Sequence, residues 1–537
     1  MKKYIDIDGY HIKKKKLTDK DIQLIKNELC VSPKTFNFLN DNNLSYKLYR
    51  KVKNEYILPR FWAIQKFGKL KEKNHLHNPE EGKFKFLKEL RNYQIELVDK
   101  TVKHIKKKGG GLLSVRPGGG KTVMSLNIAT KLKKKTLVIV HKTFLQDQWI
   151  ERIKFFTDAK IGIIRQNKCD IDDKDIVLGS IHSISKRDYG DIFDKFGFVI
   201  YDEAHHVSSK YFSKTLLKTN CKYTLALTAT PYRLDGLINI MYWFLGDCIH
   251  RDPVKINKNV TVKKFFFSCN DEKFVEKRQW ARFSDHGKSL PNVVKMINNL
   301  VEIKDRNNMQ VKIINEIRKI PKRNILILSG RKNHLFTLKE KLDKFIEDDI
   351  KKNLIEEDEV VSCYFHGELS KKELEYSTEF GTVIFGTYEM AKEALDIPRL
   401  NTIFFTSPIK DITQAVGRIM RKILQQGDVK PLVIDFIDDL SVFKNHGNIR
   451  TKQYKKTKYN IEDYYIFNDK ICSHEMYQRY NGFEVNDDIR DENIKLSQVL
   501  HLEKITENDL IDEDEFENLT PEEEKNKKNE KKKLRII

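Results

Sequence analysis

A glycine-rich segment at residues 117–122, Pro-Gly-Gly-Gly-Lys-Thr, constrains this chain more than any other stretch. Glycine lacks a Cβ atom, so successive backbone N–H groups can turn toward one point, as they do in loops that bind phosphate. The apolar run 112–115 predicts a buried strand before the segment, and apolar residues at helical spacing over 122–132 predict a helix after it. Strand, loop and helix in this order favour a nucleotide-binding α/β domain.

The loop supplies the chemical groups that a nucleoside triphosphate requires. Lys121 is expected to reach the β- and γ-phosphates of ATP, and the Thr122 hydroxyl is expected to bind Mg²⁺. Because the helix begins here, the positive end of its dipole also favours the triphosphate. The residues predicted to bind the nucleotide around this loop are Val115, Arg116, Pro117, Gly118, Gly119, Gly120, Lys121 and Thr122.

A second candidate site follows the short apolar run 198–201, which predicts another buried strand. Parallel α/β sheets bind ligands at the carboxyl ends of their strands, and acidic residues stand at this position. Asp202 is expected to hold Mg²⁺ through water, and Glu203 is expected to orient and deprotonate the water that attacks the γ-phosphate. The complete run is Asp202, Glu203, Ala204 and His205.

The length of 537 residues is sufficient for three or four domains. Apolar runs that alternate with helical patterns predict one parallel α/β domain over 86–250 and a second over 305–450, of which only the first has a phosphate loop. The predicted fold class is therefore α/β, with two parallel-sheet domains in tandem. The other predicted segments are a basic accessory domain (1–85), a linker with an insertion (251–304), an accessory region (451–502) and a disordered charged tail (503–537).

Charge favours a polyanionic partner. The formal net charge is +23, and residues 1–110 carry 27 Lys and Arg against 13 Asp and Glu, an excess of +14. A coding sequence rich in A and T is the alternative explanation for the abundant lysine. The run of four lysines at 13–16 is typical of a solvated loop, with a targeting or phosphate-binding patch as the alternative. The aromatic and apolar residues at 56–62 favour a packed core over a surface that stacks on bases.

Other features bound the environment. No apolar run approaches the roughly 18 residues needed to span a bilayer, and the first residues lack the apolar stretch of a secretory signal. The seven cysteines show no CxxC pairing, so neither a zinc site nor a disulfide framework is indicated. The expectation is a protein without a membrane partner in a reducing intracellular compartment, the cytoplasm or the nucleus.

In their order along residues 86–440, the motifs resemble those of superfamily 2 helicases and translocases. Residues 91–94 (Arg-Asn-Tyr-Gln) resemble the adenine-sensing segment, residues 138–142 resemble motif Ia, and residues 227–231 resemble motif III. The resemblance implies two RecA-like domains that hydrolyse ATP with Mg²⁺ and move along a nucleic acid.

The second half carries the later motifs of that family. Residues 365–367 resemble motif IVa, residues 386–398 resemble motif V, and residues 414–421 fit the QxxGRxxR pattern of motif VI. Motif V departs from the family at Ala394, where glycine is usual. If that position requires a positive φ, alanine strains it by about 1 kcal/mol or more.

The resemblance also implies roles for single residues. Gln94 is expected to contact adenine, and Asp396 is expected to lie at the nucleotide. Thr387 and motif Ia are expected to contact the phosphates of the nucleic acid. Thr228 and Thr230 are expected to couple the state of the nucleotide to this binding of nucleic acid. Such hydroxyl and backbone contacts carry no base information, so little sequence preference is expected.

Motif VI supplies cations that the first domain lacks. Hydrolysis requires positive charge around the departing γ-phosphate, and Arg418 and Arg421 lie three residues apart, which places them on one face of a helix. They are expected to point into a cleft between the domains, where Gln414 helps to position the attacking water. ATP would then bridge the domains, and its hydrolysis would let them separate.

The nucleic acid along which the protein moves, here called the track, is predicted to be DNA, with RNA as the alternative. The Gln at the start of motif VI and the phrase at 228–236 are more similar to DNA motors of the XPB and type III restriction kind than to DEAD-box RNA helicases. Residues 387–398 and 58–61 resemble stretches of helicases of large DNA viruses, including the poxviral transcript-release type. A virion is therefore a further expected location. A third hypothesis is a transcript-release motor that serves an RNA polymerase, or another transcription or repair protein, without separating strands.

Overall fold

The structure is a computed structural model. It describes residues 3–32, 45–70, 79–116, 118–229, 236–253, 258–280, 289–393, 397–417, 419, 424–483, 494–501 and 505, without the side chains of 392, 393, 413 and 414. The chain forms two compact units, Met1–Asp252 and Pro253–Ile537. Each unit contains one eight-stranded, mostly parallel sheet with helices, so the prediction of two tandem α/β, RecA-like domains is confirmed.

The first unit begins with a small antiparallel sheet whose strand order is β1-β2-β6-β5. Tyr56, Leu58 and Trp62 are buried in a hydrophobic cluster that also includes residues of the large sheet, such as Val199. The prediction that segment 56–62 packs in a core is therefore confirmed. The elements are β1 (Lys3–Asp6), β2 (Gly9–Lys13), a 3-10 helix (Lys14–Lys16), α1 (Asp19–Leu29), β3 (Cys30–Val31), β4 (Tyr46–Lys47), β5 (Arg50–Val52), β6 (Glu55–Leu58) and α2 (Arg60–Phe67).

A buried arginine fixes this small sheet to the large one. The Arg60 guanidinium donates to the carbonyl oxygens of Cys221 and Lys222, at 3.1 Å each, and burial lowers its pKa to about 10. Gly109, at φ +95°, permits this approach, because a Cβ atom there would lie 2.2 Å from the guanidinium. The Asn220 amide also donates to the Asp6 carbonyl at 2.8 Å. The small sheet is thus a firmly attached part of the first unit.

The large sheet of the first unit has the order β10-β9-β11-β8-β12-β13-β7-β14, and β10 is its antiparallel edge strand. Each strand in its middle is buried on both faces, which matches the continuous apolar runs of the sequence. The elements are α3 (Asn92–Lys108), β7 (Gly110–Ser114), α4 (Lys121–Leu132), β8 (Thr136–Val140), α5 (Thr143–Phe156), β9 (Ile161–Arg165), β10 (Lys168–Asp170), β11 (Ile176–Ser180), α6 (Ile181–Lys186), β12 (Phe198–Tyr201), α7 (Ser213–Leu216), β13 (Tyr223–Thr228), α8 (Asn239–Leu245) and β14 (Cys248–Arg251), with 3-10 helices at Gly190–Lys195 and Ala204–Ser208.

The second unit has a sheet of order β19-β20-β18-β21-β22-β15-β23-β24, in which only β24 runs antiparallel to its neighbour among the described strands. A separate hairpin, β16-β17, precedes its helices. The elements are β15 (Thr261–Ser268), β16 (Arg278–Trp280), β17 (Ser289–Pro291), α9 (Val293–Leu300), α10 (Lys304–Arg318), β18 (Ile325–Ser329), α11 (Lys332–Lys351), β19 (Ser362–Phe365), α12 (Lys371–Phe380), β20 (Val383–Thr387), α13 (Tyr388–Glu393), β21 (Thr402–Phe405), α14 (Thr413–Val416), β22 (Leu432–Asp438), α15 (Ser441–Lys456), β23 (Asn460–Phe467), β24 (Lys470–Cys472), α16 (His474–Tyr480) and α17 (Leu496–Val499).

Two segments outside the predicted second domain contribute strands to its sheet. Strand β15 comes from the segment expected to be a linker with an insertion, and β23 comes from the C-terminal accessory region. Strand β15 was not predicted, because two lysines interrupt its apolar pattern. In the structure Lys263 and Lys264 are buried, and each pairs with a carboxylate of β23. Those partners, Glu462 and Asp463, lie about two hundred residues later in the chain. The exact domain boundaries remain a prediction.

No helix in the described part of the chain is long and apolar enough to cross a membrane. The predicted charged tail, residues 503–537, lies outside the described residues except for Ile505.

Candidate active site

The carboxyl ends of three neighbouring strands bring the predicted nucleotide residues of the first unit together. The glycine-rich loop follows β7, Asp202 and Glu203 follow β12, and β13 lies between these two strands and ends at Thr228. The Val115 N–H donates to the Thr228 carbonyl at 3.2 Å, which joins the loop to β13. Segments distant in sequence therefore meet at one edge of the sheet.

The loop has the backbone conformation that its glycines predict. Gly118 has φ +75° and Gly120 has φ +82°, which L-residues with side chains rarely adopt. Two side chains in the first turn of α3 brace the loop: the Tyr93 hydroxyl donates to the Gly119 carbonyl at 3.1 Å, and the Gln94 amide lies 3.5 Å from the same oxygen. Pro117 lies outside the described residues.

The two positive-φ glycines differ in their surroundings, which yields a matched pair of variants. A Cβ atom on Gly120 would lie 2.2 Å from the Gln94 amide nitrogen, whereas one on Gly118 would have no neighbour within 4 Å. Both alanine variants strain the backbone by about 1 kcal/mol, but only Gly120→Ala must also displace Gln94. We expect Gly120→Ala to weaken ATP binding at least about tenfold more than Gly118→Ala, measured by titration of a fluorescent ATP analogue. Equal losses would show that the contact with Gln94 is unimportant.

A polar chain links the loop lysine to the end of β13. The Lys121 Nζ atom lies 3.5 Å from Glu203 Oε1, His205 Nδ1 lies 3.4 Å from Glu203 Oε2, and the same His205 nitrogen lies 3.2 Å from the Thr228 hydroxyl. Burial alone would raise the pKa of Glu203, but Lys121, His205 and His141 together hold it below the usual value. Glu203 is therefore an ionised carboxylate beside the loop.

The pKa of the Asp202 carboxylate is shifted in the opposite direction. Burial, and then the charge of Glu203, raise the pKa of Asp202 above its usual value. The Trp149 indole N–H donates to Asp202 Oδ2 at 2.9 Å, and the Glu203 backbone N–H donates to Asp202 Oδ1 at 3.0 Å. These two donors orient the carboxylate. A neighbouring cation would favour its charged form.

The residues present fit a triphosphate and its magnesium ion. Lys121 is the cation at the start of α4, and Asp202 is an oxygen donor at the carboxyl end of β12. Thr122, the second residue of α4, adds a hydroxyl to the same edge. Hard cations such as Mg²⁺ prefer these oxygen ligands.

Glu203 also has an unusual backbone. Its φ of +44° and ψ of +52° are left-handed, and it stands immediately before the 3-10 helix Ala204–Ser208, in which Ala204 is buried. A residue with a side chain adopts this region at a cost of roughly 1–2 kcal/mol. The strain falls on the residue predicted to activate water.

Four contacts at this site were not predicted from the sequence. Tyr93 belongs to the segment 91–94 that resembles the adenine-sensing motif, but its contact with Gly119 was not predicted. Trp149 has no distinguishing spacing, since a tryptophan in a helix usually packs in a core. Asp252 accepts from the Arg116 backbone N–H at 2.8 Å, so Arg116 helps to hold the loop while its own side chain is half exposed. The rings of His141 and His206 lie 4.0 Å apart, and this contact is the fourth.

The structure brings together fewer of the predicted residues in the second unit. Thr387 is the last residue of β20, and its hydroxyl accepts from the Met390 N–H at 3.4 Å. Gln414 lies in α14, without a described side chain. The remaining predicted site residues lie outside the described part: Thr230 of the first unit, and Asp396, Arg418 and Arg421 of the second, together with Ala394 of motif V. Their roles stay predictions.

Known proteins are similar to this chain in sequence and in fold. Residues 87–233 match the family model described as "Type III restriction enzyme, res subunit". A protein of Acanthamoeba polyphaga mimivirus named "Putative ATP-dependent RNA helicase L396" is 34% identical over 468 residues, which are 85% of this chain and 86% of the relative. The "DNA 3'-5' translocase XPB2" of Sulfurisphaera tokodaii is 32% identical over 189 residues, 34% of this chain and 42% of the relative.

One solved structure supports the fold alone. It is the fragment of a "putative HsdR subunit of a type I restriction enzyme" from Vibrio vulnificus YJ016, which is 16% identical, has a TM-score of 0.51, and is matched over 72% of this chain and 70% of that one. The mimivirus relative matches across most of both chains at an identity that establishes kinship. The chain therefore belongs to superfamily 2 of the helicases, as an ATP-hydrolysing enzyme related to the helicases of large DNA viruses.

Proposed function

We propose that this enzyme couples ATP hydrolysis to movement along duplex DNA. The observation that carries the proposal is the polar chain from Lys121 through Glu203 and His205 to Thr228, which joins the phosphate loop to the strand of motif III. A change at the γ-phosphate that moves Glu203 would be transmitted to the end of β13. Such a link is what a motor requires.

In the proposed reaction, Glu203 takes the proton of the attacking water, since its low pKa leaves it ionised. Lys121 would balance the charge of the β- and γ-phosphates. Asp202, through water, and Thr122 would hold Mg²⁺, which supplies further positive charge at the phosphate oxygens. Gln94 would contact adenine and keep the loop in place.

We further propose that motif VI completes the charge around the γ-phosphate. Arg418 and Arg421 would stabilise the transition state, Gln414 would help to position water, and Asp396 would lie at the nucleotide. Arginines in this role act mainly on the rate of hydrolysis, because the charge they neutralise develops during the reaction.

This assignment predicts different defects for two variants. Lys121→Ala is expected to abolish ATP hydrolysis by weakening nucleotide binding, whereas Arg421→Ala is expected to retain near-normal binding and to lose turnover by on the order of a thousandfold. The measurements are titration with a fluorescent ATP analogue and steady-state hydrolysis. Lys422→Ala is the matched control, because it removes one cation immediately after motif VI. Equal loss of binding in Lys121→Ala and Arg421→Ala would contradict the arginine's role.

Nucleic-acid contacts would lie at Thr387 and in motif Ia, with Thr228 and Thr230 as the coupling residues. DNA is the favoured track because a named DNA translocase is among the relatives, at 32% identity over 189 residues. The name of the mimivirus relative favours RNA as a second candidate. We also propose an intracellular site of action, the cytoplasm or nucleus, with the virion as a further place.

The test is steady-state ATP hydrolysis without nucleic acid and then with duplex DNA, single-stranded DNA or single-stranded RNA. Strong stimulation by duplex DNA is expected, and stimulation by RNA alone would overturn the choice of track. A transcript-release motor that serves an RNA polymerase would show DNA-stimulated hydrolysis without strand separation on any tailed duplex. The absence of stimulation by every nucleic acid would contradict the proposal as a whole.

A further inference from the structure

One edge of the small N-terminal sheet is covered by exposed lysines. Lys14, Lys15 and Lys16 form the 3-10 helix that follows β2. Lys51 lies within β5, and Lys53 lies in the turn that leads to β6. The Lys14 backbone N–H donates to the Asn54 carbonyl at 2.7 Å, so the two lysine groups are neighbours in space although 35 residues or more separate them in the chain. These five residues are called the basic edge.

No carboxylate of the described residues pairs with the basic edge. Within the described residues, none of the five lysines forms an ion pair, although other lysines of the first unit do, as Lys66 does with Glu28 at 2.6 Å. The carboxylate closest along the chain, Glu55, instead accepts from the Tyr4 hydroxyl at 3.1 Å and contacts His11 at 3.4 Å. An unbalanced cluster of like charges attracts polyanions.

The basic edge consists of lysines alone, without an aromatic ring on which a base could stack. Its lysines are flexible point charges, and the aromatic ring that follows, Tyr56, is buried in the core. Proteins that hold single strands usually combine positive charge with exposed aromatic rings on which bases stack. Duplex DNA hides its bases and carries one negative charge per about 1.7 Å of helix axis, so lysines alone suffice to bind it.

The basic edge is also firmly mounted. Arg60 binds the carbonyl oxygens that precede β13, Asn220 binds Asp6, and the small sheet shares one hydrophobic cluster with the large sheet. The edge therefore keeps a fixed position relative to the ATP loop of the same unit. A ligand held at the edge would keep a fixed position as well.

We propose that the basic edge binds the phosphate backbone of duplex DNA, as a contact additional to those of the helicase motifs. The proposal rests on the proposed function, because the motor must act on duplex DNA. The contact would retain the track during the part of the ATP cycle in which the motif contacts loosen. It would contribute affinity and no sequence preference.

The experiment uses the full chain with all five lysines changed to glutamine: Lys14→Gln, Lys15→Gln, Lys16→Gln, Lys51→Gln and Lys53→Gln. A lysine that neutralises a phosphate adds about 0.9 to the magnitude of the slope of log K against log salt concentration. We expect the slope for a duplex to fall in magnitude by about 2 to 4, and affinity at low salt to fall on the order of 10- to 100-fold. The DNA concentration for half-maximal ATPase stimulation should rise by the same factor.

Two controls isolate the position and the charge of these lysines. Lys106, Lys107 and Lys108 are exposed in the last turn of α3, which precedes the amino end of β7. They therefore lie at the amino ends of the strands of the large sheet, whereas the ATP loop lies at the carboxyl ends. Their triple glutamine variant is compared with the Lys14, Lys15 and Lys16 triple variant and should keep the wild-type salt slope. A variant with arginine at all five basic-edge positions preserves charge and should retain wild-type affinity. Thermal melting verifies that each variant is folded.

A wild-type salt slope in the five-glutamine variant would overturn the proposal, as would an equal loss in the α3 triple variant. Weaker binding of single-stranded RNA with unchanged binding of duplex DNA would also overturn it. Unchanged DNA binding, together with loss of retention on a poly-glutamate column, would assign the edge to an acidic protein partner and reject DNA. If the wild type itself shows no DNA-stimulated hydrolysis, the proposed function fails. If duplex DNA stimulates hydrolysis by the wild type and the five-glutamine variant binds DNA weakly, the result bears on the basic edge alone and leaves the proposed function intact.

Discussion

Glu203→Gln is expected to lower nucleic-acid-stimulated ATP hydrolysis by about a hundred- to ten-thousandfold, the usual contribution of a general base. The amide cannot accept the proton of the attacking water, and it is also a poorer partner for Lys121, 3.5 Å away. ATP binding should persist, because the phosphate loop and its bracing by Tyr93 are unchanged. Hydrolysis is followed by phosphate release, and binding by titration of a fluorescent ATP analogue.

Glu151→Gln is the matched control, since Glu151 is an exposed residue of α5 in the same unit. It should hydrolyse ATP at the wild-type rate. Substantial hydrolysis by Glu203→Gln would remove Glu203 from the role of base. A parallel loss of ATP binding would show that the carboxylate acts on binding through Lys121 and not on water.

The second large effect concerns the stability of the second unit. Asp435 of β22 is fully buried and accepts from Arg450 of α15 at 2.7 and 2.9 Å and from the Tyr454 hydroxyl at 3.0 Å. Arg450 also donates to the Ile409 carbonyl, in the loop that leads to α14. Asp435→Ala leaves a buried guanidinium without its counterion, which costs about 3–5 kcal/mol. Such a loss is a large part of the 5–15 kcal/mol that stabilises a typical domain.

Hydrogen exchange of the second-unit strands measures this effect within the full chain. Glu340→Ala is the control, because its pair with Lys344 is exposed and is expected to contribute less than about 1 kcal/mol. The double variant Asp435→Leu/Arg450→Met removes both charges and should recover much of the stability. Wild-type exchange in Asp435→Ala would mean that the ion pair does not stabilise the unit.

The strands of both sheets were largely predictable from the sequence. Fully buried parallel strands give continuous apolar runs, so residues 198–201 predicted β12 at its observed bounds. Strand β15 was not recognised, because two lysines interrupt its apolar pattern. Their charges are acceptable in the core only because β23 supplies two carboxylates, and no local pattern reveals a partner that distant.

The candidate site shows the same division between local and distant information. The glycines of the loop and the acidic pair after β12 are local signals, and their meeting follows from the rule that parallel strands present their carboxyl ends together. The donors to these groups are not local. Trp149 reaches Asp202 from α5, and Asp252 reaches Arg116 from the end of β14, so only the folded chain reveals them.

Displacement of the third strand from a DNA triplex tests the central claim most directly, because it detects movement along a duplex without requiring strand separation. The wild type should release the third strand only with ATP, after a delay that grows with the length of duplex to be crossed. Glu203→Gln should release none. Stimulated ATP hydrolysis by the wild type with no displacement at any length, or displacement by Glu203→Gln, would contradict a motor driven by ATP hydrolysis at this site.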